Sequence, residues 1–250
     1  MLYNVIMNRY LEARQERIDD IGAEVRSSIE ASYGPGSDNP LFYHYLEHFD
    51  ETSFWARPIG RELVRLGLLL PEEAQDLQLT MIGHDLIFNK NDSGYNELGS
   101  FERLRDIVNR PVNWMFFTES IDRLHQGTMS TVTTVEGGKL KQNYTPGDPF
   151  TEAVCSIDVG SLGRPYNYYI TSAMRLAAEN LDLSRSAEQQ REDILSFFAG
   201  NVNLLRNHVY PLASARKMFS LASQNSIQLE SDLRSRPDDL VNSTLALLSR

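Results

Sequence analysis

LTMIGHDLIFNKNDSGYNELGS, residues 79–100, joins an apolar helical pattern to a His-Asp pair, a polar loop and a second helical pattern. Just upstream, LLLPEEAQDL places Pro71 at a helix start, with Glu72 and Glu73 in the first turn where the positive end of the helix dipole favours acids. The helix so begun is expected to run over about 71–88. NKNDSGYN is a loop signal, and 97–109 reads as helix again. His84 and Asp85 therefore sit at a helix end, where an imidazole nitrogen and a carboxylate oxygen can both ligate a divalent metal. A metal held in this way activates water near neutral pH and polarises a phosphoryl oxygen.

Outward from this stretch, most of the chain has the three- and four-residue apolar spacing of amphipathic helices. Residues 5–32 carry Val5, Ile6, Tyr10, Leu11, Ile18, Ile21, Val25 and Ile29 with charges between them, and GPGSDNP at 34–40 breaks that helix. A second helix is expected from about 41 past Trp55, with Pro58 as a kink or restart. On it His44 and His48, four apart in LFYHYLEHFD, would share a face. Residues 128–145 differ: Thr and Val gather around Gly137-Gly138, the signal of a short β-hairpin. Helical patterns return over 165–182, 187–208, 211–232 and 236–249. The expectation is one all-α domain over 1–250, with an N-terminal helix in 1–40, a hairpin inserted near 128–145 and a tail helix in 231–250.

The chain has 250 residues, 24 basic and 34 acidic, for a formal net charge of −10. That balance argues against duplex nucleic acid or an anionic membrane surface as partner, but a local cation can still offer a small phosphate-bearing substrate a place. The single cysteine, Cys155, excludes an internal disulfide and a thiolate-rich zinc site. The longest apolar run, 66–70, is far short of the ~20 residues a membrane span needs. MLYNVIMNRYLEARQERIDD turns polar early and lacks the basic lead and long apolar stretch of a signal peptide, so a cytoplasmic location is expected. Phosphate-binding glycine loops and Ser-His-Asp or Cys-His signatures are absent from the sequence.

Three segments stand in a telling order: FYHYLEH at 42–48, GHDLIFNKNDSGYNELGS at 83–100 and CSIDVGSLGRPYNYY at 155–169. This order resembles the HD-domain metal-dependent phosphohydrolase superfamily. The first segment looks like the Tyr-His-Asn-x-x-His motif of several branches, cyclic-nucleotide phosphodiesterases included. The second is similar to a bacterial branch in which the His-Asp pair precedes a short loop and an Asn-Glu-x-x-Ser segment, here Asn96, Glu97 and Ser100. The third looks like that branch's Asp-x-x-x-Leu-Gly. The resemblance covers about 41–230, and the closing stretch through HVYPLASARKMF follows the same general shape.

What the resemblance implies is an HD-domain-like helical bundle that hydrolyses a small phosphoester, a nucleotide or related compound. His48, His84, Asp85 and Asp158 would ligate a divalent ion (Mg²⁺, Mn²⁺, Fe²⁺ or Zn²⁺). His44 would protonate the leaving oxygen, and Asp85 would share in catalysis. By position, Lys90 and Arg164 are phosphate partners, while Asn96 and Glu97 are either helix caps or substrate contacts. Two features depart from the motif: residue 45 is Tyr where Asn is usual, and the hairpin region intervenes before Asp158, leaving Asp122 and Asp148 as alternative ligands. His125 reads as a helix-end cation or a second-metal ligand, and His208 as a structural helix C-terminus. Two rival readings share the fold: a non-catalytic HD-like regulatory or interaction protein, and an HD-like diiron oxygenase, which calls for more histidines than the five present. A homo-oligomer is left open.

Overall fold

The computed structural model describes residues 2–38, 40–89, 95–113, 115–136 and 139–248, with backbone alone at 2–4, 135, 136 and 139. The order is α1 (Leu2–Tyr33), α2 (Leu46–Arg65), α3 (Pro71–Gly83), α4 (Asn96–Val108), α5 (Thr118–Ser130), β1 (Thr133–Glu136), β2 (Lys139–Gln142), α6 (Pro149–Asp158), α7 (Tyr166–Glu179), α8 (Ala187–Asn207), α9 (Ala213–Met218), α10 (Ala222–Ser235) and α11 (Pro237–Leu247). The architecture is all-α with one small hairpin. The hairpin is antiparallel and pairs Thr133 with Gln142 and Glu136 with Lys139; its Gly137-Gly138 connection lies outside the described residues. No helix among the described residues is long and apolar enough to cross a membrane.

α3 is the hub. Every residue from Asp76 to Gly83 is buried, which explains why its sequence is apolar without a solvent face. Leu77 and Met81 join an apolar cluster with Ile59, Leu63, Phe150, Phe198 and Phe219. Leu79 and Ile82 join a second with Ile18, Ile21, Val25, Leu86 and Leu104. The start of the helix is set by Pro71 and by the Leu70 backbone N–H, which donates to Glu73 Oε2 at 2.7 Å. Its side is pinned by charge. Asp76, fully buried, accepts from Arg14 of α1 and, at 2.8 Å, from Arg123 of α5. Arg14 also donates to the Glu72 carbonyl and to Gln75 Oε1. Gly83 is required where α3 ends, because a Cβ there would meet Leu104 Cδ2 at 2.6 Å.

Several boundaries differ from the sequence reading. α3 stops at Gly83, short of residue 88, because the next backbone donors are taken by side chains. Ile87 N–H donates to Ser100 Oγ at 2.9 Å, Phe88 N–H to the Tyr33 hydroxyl at 2.8 Å and Asn89 N–H to Asn96 Oδ1 at 2.8 Å. α2 begins at Leu46, so His44 precedes the helix and does not share a helical face with His48; the helix then continues through Pro58. The expected 211–232 helix is two, α9 and α10, broken where Phe219 buries itself and Leu221 N–H donates to the Gly163 carbonyl at 3.2 Å. Residues 231–235 belong to α10, and α11 is no loose tail, since Leu240 and Val241 lie in the core. His125 sits inside α5 instead of at a helix end.

Candidate metal centre

His48 is the third residue of α2, His84 caps the C-terminus of α3, Asp85 follows it, and Asp158 is the last residue of α6. Two helices, α3 and α6, thus end at one place, and the negative ends of their dipoles favour a cation there. The Thr52 hydroxyl, 3.0 Å from the His48 carbonyl and 3.3 Å from that of Met81, ties the first turn of α2 to the last turn of α3.

The four side chains converge. His48 Nε2 and His84 Nε2 face each other at 3.3 Å. His48 Nε2 is 3.2 Å from Asp85 Oδ2 and 3.4 Å from Asp158 Oδ1; His84 Nε2 is 3.1 and 3.4 Å from the same two atoms. All four atoms lie within 4.8 Å of one another. Donors so spaced can surround one point at ~2 Å, the bond length of divalent metals to imidazole nitrogen and carboxylate oxygen. The set has two nitrogens, two oxygens and no thiolate, and it fits a divalent cation. Supporting contacts fit as well. His84 Nδ1 lies 3.1 Å from the Met81 carbonyl, which can only accept, so Nδ1 carries the proton and Nε2 presents its lone pair inward. Gln142 Nε2 of β2 donates to Asp158 Oδ2 at 3.0 Å, leaving Oδ1 to face the histidines.

The electrostatics are those of a site that wants positive charge. Burial alone would lower the His48 imidazole, but its hydrogen bonds to Asp158 and Asp85 outweigh this and raise it to about 9. His84 is likewise held above its ordinary value, against burial, chiefly by the Asp85 charge. Both carboxylates are held low by the two histidines despite burial. A divalent ion and imidazole protons are alternative ways to balance the same pair of carboxylates.

His44 is near by another route. It shares a small cavity of about 10 Å³ with His48, His84 and Asp85, and its ring stacks on Phe88 at 3.9 Å. Its Nδ1 is hydrogen-bonded to Glu179 Oε1, at the end of α7. Glu179 Oε2 also accepts from the backbone N–H groups of Phe42, Tyr43 and His44 at 3.1, 2.9 and 3.1 Å. Burial would raise this carboxyl, yet His44 and the backbone donors hold it below its ordinary value. His44 is thus oriented by Glu179, a residue the sequence reading did not single out. One signal was present: an acid in the last turn of a helix, among alanines, opposes the helix dipole and needs a partner.

The remaining candidates separate. Asn96 is the first residue of α4 and not its cap: Oδ1 accepts from Asn89 N–H, and Nδ2 donates to the Asn89 carbonyl at 3.3 Å. Ser100 does the same for Ile87, accepting at 2.9 Å and donating at 3.1 Å. These two residues clasp the segment that follows the His-Asp pair. Glu97 is half-buried; burial raises its pKa, and the charges of Asp85 and Asp158 add to the rise. Its Oε2 is buried with no hydrogen-bond partner among the described residues. Arg164 pairs with Glu51 at 2.7 Å and lies over Trp55 and Tyr168, so its charge is already engaged. Lys90 lies outside the described residues. Asp148 caps α6, accepting from Phe150 and Thr151 N–H at 3.2 Å, and Asp122 and His125 are exposed on α5. His208 caps α8. The cluster of four is the only group of potential metal ligands found among the described residues. No protein-family model matches the chain, and no curated protein is similar to it.

Proposed function

We propose that the protein is a metal-dependent hydrolase of a small phosphoester. The observation that carries this reading is the convergence of His48 Nε2, His84 Nε2, Asp85 Oδ2 and Asp158 Oδ1 at the ends of two helices. A divalent ion held by these atoms supplies Lewis acidity, polarising a phosphoryl oxygen and making water a nucleophile near neutral pH. The chain's own groups do the rest. Glu97 Oε2, buried and without a hydrogen-bond partner among the described residues, accepts a hydrogen bond or a proton from attacking water. As the water oxygen bonds phosphorus and the bond to the alcohol breaks, His44 Nε2 delivers its proton to the leaving oxygen. Glu179 holds the other nitrogen of His44 and so orients its ring for the transfer.

The test is metal content together with turnover of generic phosphomono- and diesters in Mn²⁺ or Mg²⁺. His84→Ala and Asp85→Ala are expected to lose both; full metal and full activity in either variant would contradict the reading. One observation favours a non-catalytic HD-like module, namely that Arg164 is committed to Glu51 and not free for phosphate. Wild-type protein with full metal and no turnover across the panel would decide for it.

A further inference from the structure

A cavity of about 450 Å³ opens beside the metal cluster, between α7, α8 and the 3-10 turn Gly160–Gly163. Its wall toward the cluster is Tyr43, whose ring centroid lies 4.7 Å from that of His48. Val159, directly after Asp158, lines it as well. So does Leu140 of β2, two residues before Gln142 and hence on the same strand face, so the hairpin reaches both the cavity and Asp158. The deeper lining is Leu162, Tyr169, Ala173, Leu176, Phe197 and Leu204. No charged side chain takes part among the described residues. Several polar groups there are turned on one another: Asn201 Nδ2 donates to the Phe197 carbonyl at 3.0 Å, Tyr169 donates to Asn201 Oδ1 at 3.4 Å, and Tyr43 hydrogen-bonds Ser161.

We infer that this cavity is the subsite for the alcohol portion of the substrate, and that this portion is uncharged, largely apolar and of about two fused rings in size. The volume lies in the range of small-molecule sites, and an apolar lining without cations gives nothing to a second phosphate or a carboxylate. The Tyr43 ring at this boundary also lies 4.8 Å from that of His44, so an ester with its phosphate at the cluster and its alcohol portion in the cavity would carry its scissile oxygen past His44. The inference rests on the phosphoester reading, and names the class of ester within it.

Gly200 of α8 lines the cavity, and a Cβ there would meet no heavy atom within 4 Å, so a large side chain can enter the space without disturbing the helix. The test is calorimetric binding of 1-naphthol to the Mn²⁺-loaded full chain, with turnover of 1-naphthyl phosphate and methyl phosphate measured alongside. Wild-type protein is expected to bind 1-naphthol, and Gly200→Phe to bind it about tenfold more weakly or worse, with unchanged metal content. Gly200→Ala, which keeps the space, is expected to bind like wild type and serves as the folding control. Absent naphthol binding, or equal binding by wild type and Gly200→Phe, with esters still hydrolysed, overturns the subsite and leaves the phosphoester reading standing. Normal naphthol binding with neither these esters nor the phosphomono- and diester panel hydrolysed overturns the phosphoester reading, and with it the assignment of the cavity to a leaving group.

Discussion

Glu179 touches no expected metal ligand, yet it fixes His44, and this division of labour can be measured. Glu179→Gln keeps the shape but weakens the hydrogen bond that orients His44 Nδ1. The expected result is a fall in kcat of about 10²-fold with metal content unchanged; a matching loss of metal would make Glu179 a structural residue only. His208 offers a test of pH dependence. Its ring packs edge-on against Tyr210 at 4.5 Å, its Nε2 is buried without a partner among the described residues, and burial lowers its pKa from 6.5 to about 4. A histidine depressed on folding stabilises the fold above its unfolded value, and that contribution is lost as pH falls from about 6.5 toward 4. At pH 5 the loss is ~2 kcal/mol. Replacing it by Phe keeps the ring contact and should remove that part of the acid sensitivity, measured by urea unfolding at pH 7.5 and pH 5. An identical pH difference in wild type and variant would contradict this.

At the scale of elements, α3 delivers His84 and Asp85 to the cluster just past its C-terminal end and is held by an ion network that the sequence hides. Asp76 bridges Arg14 and Arg123 from helices far apart in the chain, and Arg14 is fully buried. Asp76→Asn leaves Arg14 a buried cation without its counter-charge, and the expected cost is about 3–5 kcal/mol, read from the urea midpoint; a cost below ~1 kcal/mol would show that Arg14 finds another partner. Legibility followed range. The apolar period of α1, Pro71 at the start of α3 and the Thr- and Val-rich hairpin are local signals, and each was readable. The end of α3 was not, because apolar residues 86–88 continue the pattern while their backbone donors are captured by Tyr33, Asn96 and Ser100. The 211–232 break was hidden in the same way, since Phe219 is set by its approach to Gly163, where a Cβ would meet the Phe219 carbonyl oxygen at 2.0 Å. The four residues of the cluster could be named because their short segments stand in a recognisable order along the chain. Glu179 could not, since its contact with His44 spans 135 residues.

Across the whole molecule, the net charge of −10 conceals a site built to attract a cation. Two apolar clusters meet along α3, and the four residues that could hold a metal gather where that helix and α6 end. The acids Asp85 and Asp158 are drawn together there with two imidazoles, a cost in repulsion that only positive charge offsets. The arrangement also separates a polar centre from an apolar cavity by the single ring of Tyr43. The most direct measurement of the central claim is anomalous diffraction from crystals of the full chain grown with Mn²⁺. The account predicts one strong peak at ~2.0–2.3 Å from His48 Nε2, His84 Nε2, Asp85 Oδ2 and Asp158 Oδ1, absent in His84→Ala. No peak among these four atoms at saturating Mn²⁺, or a peak that persists unchanged in His84→Ala, would contradict it.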